Sequence, residues 1–313
     1  MSFAPPPRDR FPQLWMPSPL LKSPCLLSWV PAFAWVGLAS LTPLVLQQPP
    51  TLAQNVPTAP HFEPRAGNAT VLLVNPTKGN DATADGSDRA PFKTITQALQ
   101  KAPSNGVIQL TPGTYSEATG EKFPLSLKPG ITLQGNTQNR GSDTLIQGSG
   151  FILSPTFARQ NVTIVGANQA TLIGVTVTNP YPQGYGLWVE STRLTVTDNT
   201  FATNGHDGIS VIGNSSPLIR NNYFYQNGGS GITVYGTSQP EIRENVFEQN
   251  GFAINLNQNA APLIIGNRIT QNKDGIITQA SAHPTLRNNS IEGNERDGVV
   301  AIAQSRPDLR NRQ

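Results

Sequence analysis

The chain has 313 residues and a formal net charge of +3, and only 13% of its residues are charged. Two of those three net positive charges fall in residues 1–53, where Arg8, Arg10 and Lys22 stand against Asp9. The remainder is close to neutral, which excludes bulk nucleic-acid binding through a clustered basic face.

Residues 1–53 read as a signal peptide or membrane anchor. Residues 26–46 are apolar, from Leu26-Leu27 through Trp35-Val36 to Leu44-Val45-Leu46, with Lys22 just upstream. Thr51-Leu52-Ala53 places small residues for cleavage before Gln54. Pro31 and Pro43 weaken the segment as a spanning helix, while an uncleaved segment is the only membrane attachment expected. A start at Met16 gives a leader of more ordinary length. The one cysteine, Cys25, lies before the apolar stretch, so a chain cleaved at Gln54 is held without disulfides. Residues 54–70 are a Pro-rich linker, in which Pro57, Pro60 and Pro64 oppose regular strand pairing.

Residues 71–117 read as the N-terminal cap of a stack of repeats. Val71–Val74 and Val107–Leu110 are strand-like, the stretch Phe92-Lys93-Thr94-Ile95 to Ala98-Leu99 enters a short helix, and Pro112-Gly113-Thr114-Tyr115 reads as a turn. An amphipathic helix here closes the open end of a stacked core. Strand-like runs of less regular register come next, at Ile131-Thr132-Leu133 and Val162-Thr163-Ile164-Val165.

A repeat governs residues 118–313, most clearly in its second half. Asn199, Asn222, Asn245, Asn267 and Asn289 recur at steps of 23, 23, 22 and 22. Five residues after each comes Asn204, Asn227, Asn250, Asn272 and Asn294. Apolar columns keep the same register: Phe201, Phe224, Phe247, Ile269 and Ile291; Val196, Ile219, Ile242, Ile264 and Leu286; Ile209, Ile232, Ile254, Ile276 and Val299. Apolar and polar residues alternate in runs such as Ile209-Ser210-Val211, the period of a strand with one buried face. Pro217, Pro240, Pro262, Pro284 and Pro307 open strands, and Asn-Gly and Asp-Gly pairs read as turns. One repeat buries little alone, but stacking places each column on itself at about 4.8 Å. The asparagines then donate and accept between rungs as a structural ladder. The fold class is therefore all-β: a right-handed parallel β-helix, a solenoid with a short N-terminal capping helix.

Val74-Asn75-Pro76, Asp85-Gly86-Ser87, the Phe92-to-Leu99 stretch and Leu110-Thr111-Pro112-Gly113-Thr114-Tyr115 resemble the domain of unknown function 1565 family. The Asn-x-Phe/Ile repeats resemble those of the pectin-lyase-like right-handed parallel β-helix superfamily. The resemblance runs from about Val71 to Asn311 and implies fold. That superfamily holds polysaccharide lyases, glycoside hydrolases, epimerases and non-enzymes, so it implies a polysaccharide partner, acidic ones included, and a secreted, periplasmic or cell-surface location. A non-enzymatic structural or protein-docking surface protein is the alternative.

Three features are candidates for chemistry. Arg220, Arg243, Arg287 and Arg310 lie at one register, point away from the core, and suit carboxylates of an acidic glycan, with Arg220 a catalytic candidate; a solvated edge paired to Glu241 and Glu244 is the other reading. Tyr181, Tyr185 and Trp188 form an expected exposed aromatic set for sugar rings, against simple loop packing. His206-Asp207 offers a general base, and Asp207 shares the register of Asp274 and Asp297, so Ca²⁺ is a further expectation; Asp-Gly as a plain turn competes with both. No other cofactor is implied. A polymer groove requires the aromatics and the arginines on one face.

Overall fold

Repeats of 22 and 23 residues must fold back at three corners to stack on themselves, and the structure, a computed structural model, shows how they do so for residues 69–309. The leader, its cleavage before Gln54, the start at Met16, nearly all of the 54–70 linker, Arg310 and Asn311 lie outside the described residues. Among the described residues no helix is long and apolar enough to cross a membrane.

Three sheets run the length of the stack. The first begins with Val71–Val74 and Val107–Leu110 and ends at Thr285–Arg287. The second runs from Gly113–Ser116 to Ser290–Glu292, and the third from Leu125–Ser126 to Val299–Ala301. Every rung pairs in parallel with the next, and the expected columns align: Phe201 with Phe224 and Phe247, Ile219 with Ile242, Ile209 with Ile232. The segment expected as a turn at Pro112–Tyr115 is instead mostly strand, because Gly113–Ser116 pairs with Thr144–Gln147 to open the second sheet. Tyr115 is fully buried there, its hydroxyl donating to the carbonyls of Val74 and Thr111.

The core is the interior of the coil. The Phe201, Phe224 and Phe247 rings stack with centroids 5.4 and 4.7 Å apart, each burial contributing about 1.5–3 kcal/mol. Gly208 and Gly231 belong to this packing. A Cβ at Gly208 would lie 2.9 Å from Phe224, and one at Gly231 2.6 Å from Phe247. This corrects the reading of Asp-Gly as a turn: Asp274-Gly275 opens the strand Asp274–Thr278, and its glycine makes room in the core. The left-handed residues sit elsewhere. Asp198, Asn221 and Glu244 have φ of 55°, 55° and 56° at the first corner, and Thr203, Gln226 and Gln249 have 51°, 52° and 57° at the second. Each precedes a ladder asparagine, whose amide satisfies backbone groups that the bend leaves unpaired.

The helix Ile95–Lys101 packs Ile95, Ala98 and Leu99 onto the first rungs, as the cap requires. Carboxylates distant in sequence hold its N-terminal end: Glu121 accepts from the Ile95 and Thr96 N–H groups, and Asp81 from those of Lys93 and Thr94 just before the helix. One insertion breaks the pattern. Gly150–Ser154 and Ala158–Val165 form an antiparallel hairpin that joins the third sheet.

Candidate site on the outer face of the third sheet

Alternation along the third sheet sends Leu187, Val189, Ile209, Val211, Ile232 and Val234 into the core. Trp188, Ser210 and Thr233 share one outward column, as the sequence register requires. Trp188 is nevertheless only 3% exposed, which corrects the expectation of an exposed ring. The hairpin tip lies over it. Phe157 packs edge-on against Trp188 and Tyr235, with centroids 6.3 and 5.1 Å away. Glu190 holds both partners: one carboxylate oxygen accepts from the N–H and Oγ1 of Thr156, at 3.1 and 2.6 Å, and the other from Trp188 Nε1 at 2.9 Å. These bonds hold the Glu190 carboxyl below its ordinary range against the opposing effect of its burial, the largest single influence on it.

Beside this covered patch, at the corner between the second and third sheets, His206 and Asp207 meet Tyr185. Asp207 is 2% exposed. Its Oδ1 accepts the Ser230 N–H of the next rung at 2.8 Å, and its Oδ2 accepts from Ser210 Oγ at 3.0 Å. His206 Nδ1 lies 2.9 Å from Asp207 Oδ1, at an angle outside that of a well-aligned hydrogen bond. The Asp207 carboxylate pushes the imidazole pKa upward, against the effect of burial. Nδ1 faces inward, so Nε2 is the nitrogen left to meet a ligand. The Tyr185 ring lies over the imidazole, centroids 4.8 Å apart, and against Trp188 at 5.1 Å. Burial pushes the Tyr185 phenol up to about 12, with the Asp207 charge and Tyr235 adding to it. Burial, then Asp207, raises the Tyr235 phenol as well. Both hydroxyls thus stay protonated at neutral pH and can donate or accept.

Gly229 makes the pair possible. A Cβ there would lie 2.6 Å from Asp207 Oδ1 and 3.1 Å from His206 Nδ1. Tyr181, 53% exposed, comes from the loop one rung earlier at the same corner. It rims a cleft of about 360 Å³ with Ser116, Glu117, Ala118, Gln147 and Gly148.

The structure therefore brings Tyr181, Tyr185, Trp188, His206 and Asp207 to one side of the coil. It places Arg220, Arg243 and Arg287 on another, at the ends of first-sheet strands. This corrects the expectation of a shared groove: Arg220 does not join His206-Asp207, and neither Arg243 nor Arg287 lies with Tyr181, Tyr185 and Trp188. The register of Arg220 on Arg243 is as expected, and Arg243 pairs with Glu241 at 2.9 Å and Glu244 at 3.4 Å. The aspartate register also holds, but Ser230 and Phe252 separate Asp207 from Asp274, and Arg296 pairs with Asp274. Among the described residues no group of three or more His, Cys, Asp or Glu side chains is placed to hold a metal ion.

Among the contributors outside the residues that the sequence points to are Phe157, Glu190, Gly229 and Tyr235. Tyr235 is within reach of the pattern, being the next outward position after Thr233 in Ile232-Thr233-Val234-Tyr235. The other three depend on the hairpin or on contacts between rungs, for which the repeat carries no signal.

These three sheets and the parallel stacking of their rungs define a right-handed parallel β-helix. Residues 77–216 match the family model described as Protein of unknown function (DUF1565), and residues 185–313 match that described as Right handed beta helix region. Among solved structures, the chain is similar to XylC in complex with xylose, at 13% identity over 76% of this chain and 64% of that one, with a TM-score of 0.52. It is also similar to the pectin methylesterase of Aspergillus niger, at 14% identity over 79% of this chain and 86% of that one, with a TM-score of 0.51. No curated protein matches the sequence.

Proposed function

We propose that this protein binds polysaccharide outside the cytoplasm, with the outer face of the third sheet as its binding surface and residues 1–53 as its export leader. The observation that carries this reading is the convergence of Tyr185 and His206 over the buried carboxylate of Asp207, on a sheet whose rungs repeat for the length of the coil. Aromatic faces meet the apolar faces of sugar rings, and an oriented imidazole and two phenols supply hydrogen bonds at their edges. The fold is shared with a protein solved with xylose and with a pectin methylesterase, which supports a sugar polymer as the class of partner.

Binding is favoured over cleavage. Asp207 is almost wholly buried and already accepts from Ser230 and Ser210, so its carboxylate is closed to a sugar. A glycoside hydrolase of the usual kind needs two carboxyl groups flanking the bond, and Glu190 is engaged by the hairpin tip and Trp188. The test is retardation of the purified protein in gels containing soluble polysaccharides, alongside His206→Gln and Tyr181→Ala. Retardation by at least one glycan, weakened in both variants, is the expected result. No retardation by any glycan overturns the reading and leaves a structural or protein-docking role in front.

A further inference from the structure

The part of the third-sheet face that the hairpin leaves open begins at Tyr235, the last ring that Phe157 touches. From there the outward positions continue rung by rung. Asn257 and Gln279 follow Tyr235 in one column, and Asn255 follows Thr233 in the next. Tyr235, Asn255, Asn257 and Gln279 are all partly exposed. The amides are linked: Asn255 Oδ1 accepts from Asn257 Nδ2 at 3.3 Å and from Gln279 Nε2 at 3.0 Å. An amide that donates one N–H to a neighbour keeps a second N–H and a carbonyl for another partner. The hairpin tip forms a wall at one end of this row, and the ring of Tyr235 lies at its foot.

From Gly184 onward, the third-sheet strands carry charge of one sign. The third-sheet strands Gly184–Glu190, Ile209–Ile212, Ser230–Val234, Phe252–Leu256, Asp274–Thr278 and Val299–Ala301 contain no lysine or arginine. They contain Glu190 and Asp274, and Asp207 adjoins them. At the corner, Arg296 is taken up by Asp274, and Lys273 lines a separate cleft with Glu295, Gln249 and Gln271. His206 brings positive charge to the corner when protonated, with Asp207 standing against it, and Arg159, on the hairpin strand Ala158–Val165, lies over the Phe151 ring. Along the strands from Gly184 onward, a polymer carrying a carboxylate on each sugar would meet acidic groups with no arginine to pair with. The arginines that suit such a polymer are on the first sheet.

Resting on the reading of this face as a polysaccharide surface, we propose that it takes an uncharged glycan, with one sugar against the Tyr235 ring and the hydroxyls of its neighbours bonded by Asn255, Asn257 and Gln279. Hydroxyl groups need both donors and acceptors, which amides supply together and guanidinium groups do not. Specificity against uronates comes from repulsion and unpaired charge rather than from added contacts.

The experiment is titration of the full-chain protein with soluble xylan, mannan and β-glucan, and with polygalacturonate and alginate, at low and at high salt. The expected result is binding to at least one uncharged polymer that salt leaves essentially unchanged, and uronate binding weaker by about tenfold or more. Tyr235→Ala and, separately, Asn257→Ala are each expected to weaken binding by about tenfold, a size usual for one good contact. Asn257→Ala removes only a partly exposed amide and so keeps the test valid should Tyr235→Ala not fold. Arg220→Ala, on the first sheet, should bind as the parent does. A preference for uronates that salt abolishes overturns this inference and leaves the polysaccharide reading standing. Uncharged-glycan binding that neither variant weakens overturns the placement on this face. Failure to bind any polymer overturns the polysaccharide reading itself, and this inference with it.

Discussion

The side-chain oxygen of Asn222 accepts two hydrogen bonds from Asn199 on the preceding rung, one from its backbone N–H and one from its amide nitrogen, each at 3.0 Å. Asn222 Nδ2 in turn donates to the Val196 carbonyl at 2.9 Å. Asn222 repeats the arrangement with Asn245, and Asn245 with Asn267. A second ladder, from Asn204 to Asn294, does the same at the other corner. The asparagines are thus the polar spine that lets a bent backbone be buried.

Asn222→Ala removes an acceptor from Asn199 and a donor from the Val196 carbonyl, both buried. Each group left unpaired costs about 1–3 kcal/mol. A loss of about 2–5 kcal/mol is expected from urea unfolding, with the transition midpoint lowered and the glycan site, on another sheet, unaltered in the fraction that stays folded.

Phe224→Ala opens a cavity in the middle of the stacked rings, between Phe201 and Phe247. The neighbours are tied to sheets on both sides and can collapse little, so a loss of about 3–5 kcal/mol is expected. Thermal unfolding followed by circular dichroism checks it; a change within about 0.5 kcal/mol, the range of surface substitutions, contradicts this account of the core.

Gly229→Ala drives a methyl group against Asp207 Oδ1 and His206 Nδ1. The expected outcome is a folded protein in which the pair is displaced and glycan binding is weakened. Proton NMR of the His206 imidazole reads this directly, because its pKa should fall back toward 6.5 once Asp207 is moved away.

The same pair makes stability depend on pH. The folded state raises the His206 pKa above 6.5, so it binds the proton more tightly than the unfolded chain does. The stabilisation is therefore fully present below pH 6.5 and is lost as pH rises through the folded-state value. Melting curves of the parent and of His206→Gln should diverge most in mild acid and converge at alkaline pH. The opposite trend contradicts the assignment.

Glu190→Ala removes the carboxylate that grips both the hairpin tip and Trp188. Local opening of the hairpin is expected to become more frequent while the coil stays folded. Limited tryptic digestion should then cut faster after Arg159, which lies just past the hairpin turn.

The coil, its core columns and its two ladders are legible from residues alone. From Asn199 onward a spacing of 22 or 23 assigns each position to a rung, and alternation assigns it inward or outward, so that Phe224 and Asn222 can be placed without coordinates. Both signals are periodic, and the stack obeys the same period. Only the tertiary structure decided which outward residues face the same way. Arg220 and Trp188 are both outward, but three bends separate the sheets, and several of their left-handed positions fall on residues such as Glu244, Thr203 and Gln226, which carry no turn signal in sequence. The hairpin at residues 150–165 obeys no repeat, and it buries Trp188 by covering a face that alternation leaves open. Periodicity records what each rung shares with the next; the site is made where the rungs differ.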